Sequence, residues 1–110
     1  MAVTPTLLYR GTLTTTAAPG DSIYTSGSGT TIVTNIIICN RHTSDVTVTV
    51  SFTDTGTTDR YVMKDTTVAA NSTIALDMSQ VLSTAASKYI KARASTGSLV
   101  DIHISGVVIA

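Results

Sequence analysis

The segment TTIVTNIIICN, Thr30 to Asn40, is apolar along both faces of any strand it forms. Extended, it directs Ile32, Ile36 and Ile38 to one side and Val33, Ile37 and Cys39 to the other. The run is too short and too rich in β-branched residues for a helix. A strand that is apolar on both faces belongs at the centre of a sheet. One face is buried by an opposing sheet. The other needs cover of its own, and a second subunit or a larger body is the natural source.

Simpler alternation runs through the rest of the chain. Val46, Val48, Val50 and Phe52 alternate with Thr47, Thr49 and Ser51, the pattern of a half-buried strand. Leu7, Tyr9 and Leu13 oppose Arg10, Thr12 and Thr14. Ile74, Leu76 and Met78 are expected to point inward, as are Ile90, Ala92 and Ala94, and then Val100, Ile102 and Ile104. Turn signals separate these runs: AAPGD at Ala17, SGSG at Ser26, NRHTSD at Asn40, TDTGTTD around Gly56, AANS at Ala69 and TGS at Thr96. SQVLSTAAS interrupts the pattern, and Ser79 is positioned to cap one helical turn carrying Val81 and Leu82. The expectation is an all-β chain: a β-sandwich, jelly-roll or immunoglobulin-like, of seven to eight strands with one short helical turn. Its 110 residues suit one domain, residues 7–110, preceded by an N-terminal arm, residues 1–6, that contains Pro5. No internal repeat is evident.

Composition narrows the function classes. Hydrophobic residues make up 43% of the chain and charged residues 13%, about half the usual share of roughly 25%. Glu is absent, and Thr and Ser supply the polar surface. The net charge is +0, and of the seven basic residues only Lys88, Lys91 and Arg93 are near neighbours. That is too thin to follow a phosphate backbone, so no nucleic-acid partner is expected. Near-zero charge also gives little colloidal repulsion, which suits a surface meant to be covered. Cys39 is the only cysteine, so no internal disulfide is possible, and its apolar setting reads as packing rather than reactivity. The first residues lack the charged and apolar regions of a signal peptide. The apolar run Ile36 to Cys39 is far short of the roughly 20 residues a membrane helix needs, so a soluble cytoplasmic product without membrane contact is expected.

The chemistry-bearing residues are sparse. Asp101 and His103, two apart on one strand, share a face, as a base or half a metal site would require. No nucleophile is placed beside them, and His42 lies in a distant turn. Asp54 to Asp59 lacks the spacing and terminal Glu of a calcium loop, and GDSIYTSGSGT matches no phosphate-binding glycine pattern. No catalytic, cofactor or metal site is expected, and the chain does not read as an enzyme. Of the four tyrosines, Tyr61 and Tyr89 are candidates for surface aromatic contacts, as interface anchors or as a small platform for a sugar.

The order TIVTNIIICN, VTVTVSF, VAANSTIALDMSQVL, KYIKARAS and VDIHISGVVI, together with the Thr-rich, Glu-poor composition, resembles small accessory virion proteins of tailed bacteriophages. The likeness spans Leu7 to Ile109. It implies a structural role in the virion, assembled in the host bacterial cytoplasm. The role would be that of a capsid decoration (cement) protein, homo-oligomeric with a trimer favoured, on a shell of major capsid protein. A tail or tail-fibre-associated protein, or a carbohydrate-binding module, is the alternative. The expected subunit or capsid contacts are Thr4, Pro5, Thr6, Leu7 and Leu8 of the arm, which would add a strand to a neighbour's sheet, and Val107, Val108 and Ile109 of the final strand.

Overall fold

Val46, Val48, Val50 and Phe52 all lie in the core, none more than 3% exposed. Their alternation is the local cause of one central strand, and seven further strands are built around it. The computed structural model describes residues 3–17, 20–27, 29–53, 58–82 and 89–109. Its strands are β1 (Val3–Thr12), β2 (Asp21–Thr25), β3 (Thr30–Asn40), β4 (Val46–Thr53), β5 (Asp59–Val68), β6 (Thr73–Leu82), β7 (Tyr89–Ala94) and β8 (Val100–Ile109).

They form two antiparallel four-stranded sheets, ordered β1-β8-β3-β6 and β2-β7-β4-β5. Only β4 and β5 are neighbours both in sequence and in a sheet; every other connection crosses between the layers. Immunoglobulin-like sandwiches keep several consecutive strands side by side. This interleaved order is instead the jelly roll, one of the two sandwich types the sequence suggested. Val33, Ile36, Ile38, Ile102 and Ile104 of the first sheet face Val48, Val50, Ile90 and Ala92 of the second, all fully buried. Burying a side chain of this size contributes about 1.5–3 kcal/mol, so this shared layer dominates the fold's stability.

Asn40 ties two turns together at one end of the sandwich. It is fully buried, and its Nδ2 donates to the carbonyls of Ser44, Val68 and Ala69 at 3.0, 3.1 and 3.2 Å. Its Oδ1 accepts from the His42 backbone N–H at 2.8 Å. Asn71, at the tip of the Ala69–Ser72 turn, takes a φ of 54°, a left-handed conformation that Asn tolerates better than most residues.

A crease runs across the first sheet. The register of β1 against β8 shifts between Leu7 and Tyr9, and that of β3 against both neighbours shifts between Val33 and Asn35. An extra residue in a strand reverses the facing of what lies beyond it. This corrects two of the expected face assignments. Leu7, grouped by alternation with Tyr9 and Leu13, is turned out and is 53% exposed, while Leu8 packs on the core. Ile32, grouped with Ile36 and Ile38, is only half-buried, and Val33 joins those two at 0% exposure. Gly106 sits at the crease, because a methyl there would meet Leu8 Cδ1 at 2.9 Å and overlap the carbonyl oxygen of Ile32.

Two further expectations change. Ser79, Val81 and Leu82 form no helical turn; they continue β6, whose half-buried positions run 74, 76, 78, 80 before buried Leu82. The alternation looked broken because polar Gln80 takes a core-side position and apolar Val81 an outward one. Thr49 and Ser51, expected on a solvated face, are both 0% exposed, and Thr53 beyond them is 1% exposed. Their strand is central, and longer side chains of its neighbours β5 and β7 cover it. Asp65 accepts from Thr49 and Asp59 from Thr53, while Lys91 lies 3.9 Å from Asp59. The loop around Gly56, the stretch 83–88, and Met1 and Ala2 of the expected arm lie outside the described residues.

Candidate functional site

The two segments expected to make contacts come together. Thr4 to Leu7 of β1 pair with β8, Thr4 opposite Val108, Pro5 opposite Val107 and Leu7 opposite Ser105. Thr4–Leu8 therefore belongs to the chain's own sheet, with β8 as its partner there. The row continues across the sheet, since Ile32 stands opposite both Val107 and Val81. Pro5, Val107, Ile32 and Val81 thus span all four strands, with Leu7 beside them. Leu7 and Val81, 53% and 50% exposed, are two of the large exposed hydrophobics of the fold. A second apolar group, Ile37, Cys39 and Ala75, lies beyond the crease on the same outer face. Between the two groups runs a polar row in which Asn35 Nδ2 donates to Asp77 Oδ1 at 3.1 Å and Thr34 to the Ser105 carbonyl at 3.3 Å. The outer face of β3 is thus apolar on either side of that polar row, with Ile32, Ile37 and Cys39 half-buried there. Ile32 and Val81 were missed as members of this surface, because a bulge and an inverted alternation hid their facing.

Tyr61 and Tyr89 lie elsewhere, in the other sheet. Tyr61, 42% exposed, stands opposite Ser51, and Tyr89 is half-buried opposite Thr53. The Lys64 ammonium sits 5.2 Å from the Tyr61 ring centroid and takes up one face of that ring. The structure does not bring these tyrosines to the apolar surface.

Asp101 and His103 do share the outer face, but the carboxylate is committed elsewhere. Arg41 donates to it through Nε at 2.8 Å and through its terminal nitrogen at 3.3 Å, and Thr12 donates at 3.1 Å. The Arg41 hydrogen bonds hold the Asp101 carboxyl below its usual range, against a smaller opposing effect of burial. A buttressed carboxylate of this kind anchors the Asn40–Ser44 turn to β8 and is poorly placed as a base. Among the described residues no group of three or more His, Cys, Asp or Glu is arranged to hold a metal ion.

A cleft of about 470 Å³ opens where the edge strands β1 and β2 approach, lined by Tyr9, Leu13, Thr14, Asp21, Ser22 and Ile23 among others. Thr14 Oγ1 donates to Asp21 Oδ2 at 2.5 Å, and the hydroxyls of Thr14 and Thr16 hold the Asp21 carboxyl below its usual range. The carboxylate is again satisfied by its own chain. Alternation placed Tyr9, Leu13 and Thr14 on a strand and AAPGD in a turn but gave no sign of the cleft, which depends on β1 and β2 being edge strands of opposing sheets.

No protein-family model matches the chain, and no curated protein does. Its fold is similar to that in a solved structure of infectious bursal disease virus, Gx strain. The TM-score is 0.53 at 12% sequence identity, over 97% of this chain. The chain spans about a third, 32%, of that viral chain's length. At this identity the likeness is one of fold.

Proposed function

We propose that this chain is a non-enzymatic structural protein of a bacteriophage particle, a decoration (cement) protein that binds the outside of the capsid. Its partners in this reading are copies of itself and the major capsid protein, and it acts without a cofactor. The observation that carries the reading is the outer face of the first sheet. There, among the described residues, Leu7, Ile32, Val81 and Val107 have no opposing layer, on a chain of zero net charge. Such a face suits a permanent contact, where apolar area at the centre and hydroxyls around it exclude water. Many copies on a shell multiply a modest contact through avidity. The likeness in fold to a virus structure supports a viral setting, and the resemblance in segment order to phage accessory proteins supports the finer assignment.

The test mixes purified chain with phage shells that lack a decoration protein and follows co-sedimentation. Saturable binding that raises the shell's disruption temperature supports the proposal, and Leu7→Asp with Val107→Asp should abolish it. Binding to tails but not to shells would overturn the capsid assignment, and binding to neither would overturn the structural role.

A further inference from the structure

The sandwich has four sheet edges, and three of them are blunted against pairing with another chain. β1 carries Pro5, which has no N–H to donate, together with Arg10 and the bulge at Leu8. β2 is five residues long and its register shifts around Ile23. β5 shifts register twice and holds Asp65 at a φ of 47° amid Arg60, Lys64 and Asp65 charges. The edge β6 is different. It is ten residues long, has no Pro or Gly, and carries one charge, Asp77. Its shift against β3 near Met78 and Ser79 leaves its exposed and half-buried alternation unbroken from 73 to 82. Among the described residues it pairs with β3 alone.

We propose that β6 pairs antiparallel with β6 of a second copy about a two-fold axis at Met78, joining two four-stranded sheets into one of eight. The inference deepens the self-association in the reading above, on which the choice of a second copy rests. Opposed residues in such a pair must share a face, so odd positions meet odd positions. Two registers overlap nearly the whole strand. One sets Asp77 against the second copy's Asp77, directly opposing like charges, which is unfavourable. The other sets Met78 against Met78 and is self-complementary along its length. Asp77 then meets the second copy's Ser79, and Ala75 meets its Val81. On the inner face Leu76 meets Gln80, and Ile74 meets Leu82. Asp77 Oδ1 already accepts from Asn35, which leaves its second oxygen for the Ser79 hydroxyl. Val81, 50% exposed in the single chain, gains an apolar neighbour. The apolar rows of the two outer faces run together across the joint. The arrangement favours a two-fold pair over the trimer that the phage resemblance implied.

The experiment is sedimentation equilibrium on the full chain and on two variants at the exposed position 79. Wild type is expected to dimerise. Ser79→Asp places a carboxylate against Asp77 at two symmetry-related points and should weaken the dimer about tenfold or more. Ser79→Lys places an ammonium there and should tighten it by a similar factor. Circular dichroism and melting at low concentration confirm that each variant keeps its fold. In the Asp77–Asp77 register position 79 faces Ala75, and neither charge would act this way. A wild type that stays monomeric at high concentration overturns the inference, as does a dimer or trimer indifferent to both variants. Shell binding is scored separately, so a dimer that ignores shells would sink the proposed function and leave the inference standing.

Discussion

Gly106→Ala is the sharpest test of the crease, because it adds one methyl where β8 runs tight against the β3 backbone and Leu8. That methyl would meet Leu8 Cδ1 at 2.9 Å and the Ile32 carbonyl carbon at 3.1 Å, with the carbonyl oxygen nearer still. The Leu8 side chain can rotate away, but the Ile32 carbonyl is backbone and moves only with β3. Overpacking of this kind costs about 1–3 kcal/mol. Separating β3 from β8 near the Val33–Gly106 pair also weakens about one ladder hydrogen bond, a further loss of about 1 kcal/mol. The sum, about 3 kcal/mol, is a large part of the 5–15 kcal/mol typical of a domain. It should lower the melting temperature by about 12–15 °C at this chain length. Thermal melts of wild type, Gly106→Ala, Leu8→Ala and the double variant form the assay. Because the backbone clash dominates, Leu8→Ala should relieve only a minor part of the Gly106→Ala loss. A Gly106→Ala protein that melts within about 2 °C of wild type would refute the close approach, and full rescue by Leu8→Ala would refute the dominance of the backbone.

Three further outcomes follow from the same structure. Leu7→Ser should change stability by no more than about 0.5 kcal/mol, because Leu7 is turned outward, whereas Leu8→Ser should cost about 2 kcal/mol or more; denaturant melts distinguish the two. Asn40→Ala removes the donor to three carbonyls, that of Val68 buried and those of Ser44 and Ala69 part-buried, and the acceptor of the His42 N–H, and should cost about 3 kcal/mol by the same measurement. The depressed folded-state pKa of Asp101 means that its contribution to stability is fully present above about pH 4, the unfolded carboxylate range. That contribution is lost as pH falls through the lower folded value. Melting temperature followed from pH 6 to pH 2.5 should therefore drop less steeply in Asp101→Asn than in wild type.

Strand existence was legible wherever one period-2 face was apolar and the other polar. β4, β7 and β8 follow their alternation without interruption, and every core position assigned to them is buried. Facing failed where the backbone inserts a residue. Nothing in LLYRG marks Leu8 rather than Leu7 as the inward residue, for the bulge shows only in the pairing with β8, about a hundred positions away in the chain. β6 was misread at its end because one polar and one apolar residue exchanged places. The apolar outer face of β3 was legible from composition alone, since a strand needs only one greasy face to join a sandwich. Which residues of other strands extend that face was not, because it depends on cross-strand neighbours. The jelly-roll order itself is a matter of long-range pairing, for which local patterns carry no signal.

β8 lies between β1 and β3, so it supplies both neighbours with their hydrogen-bonded ladder. Residues 100–109 must be in place before residues 3–12 have anything to pair with. During synthesis β1, with Leu8 and Tyr9, therefore lacks its sheet partner until residues 100–109 have been made. Such a topology folds slowly and late. A truncation that removed β8 would leave two severed fragments of a sheet rather than a smaller version of the same one.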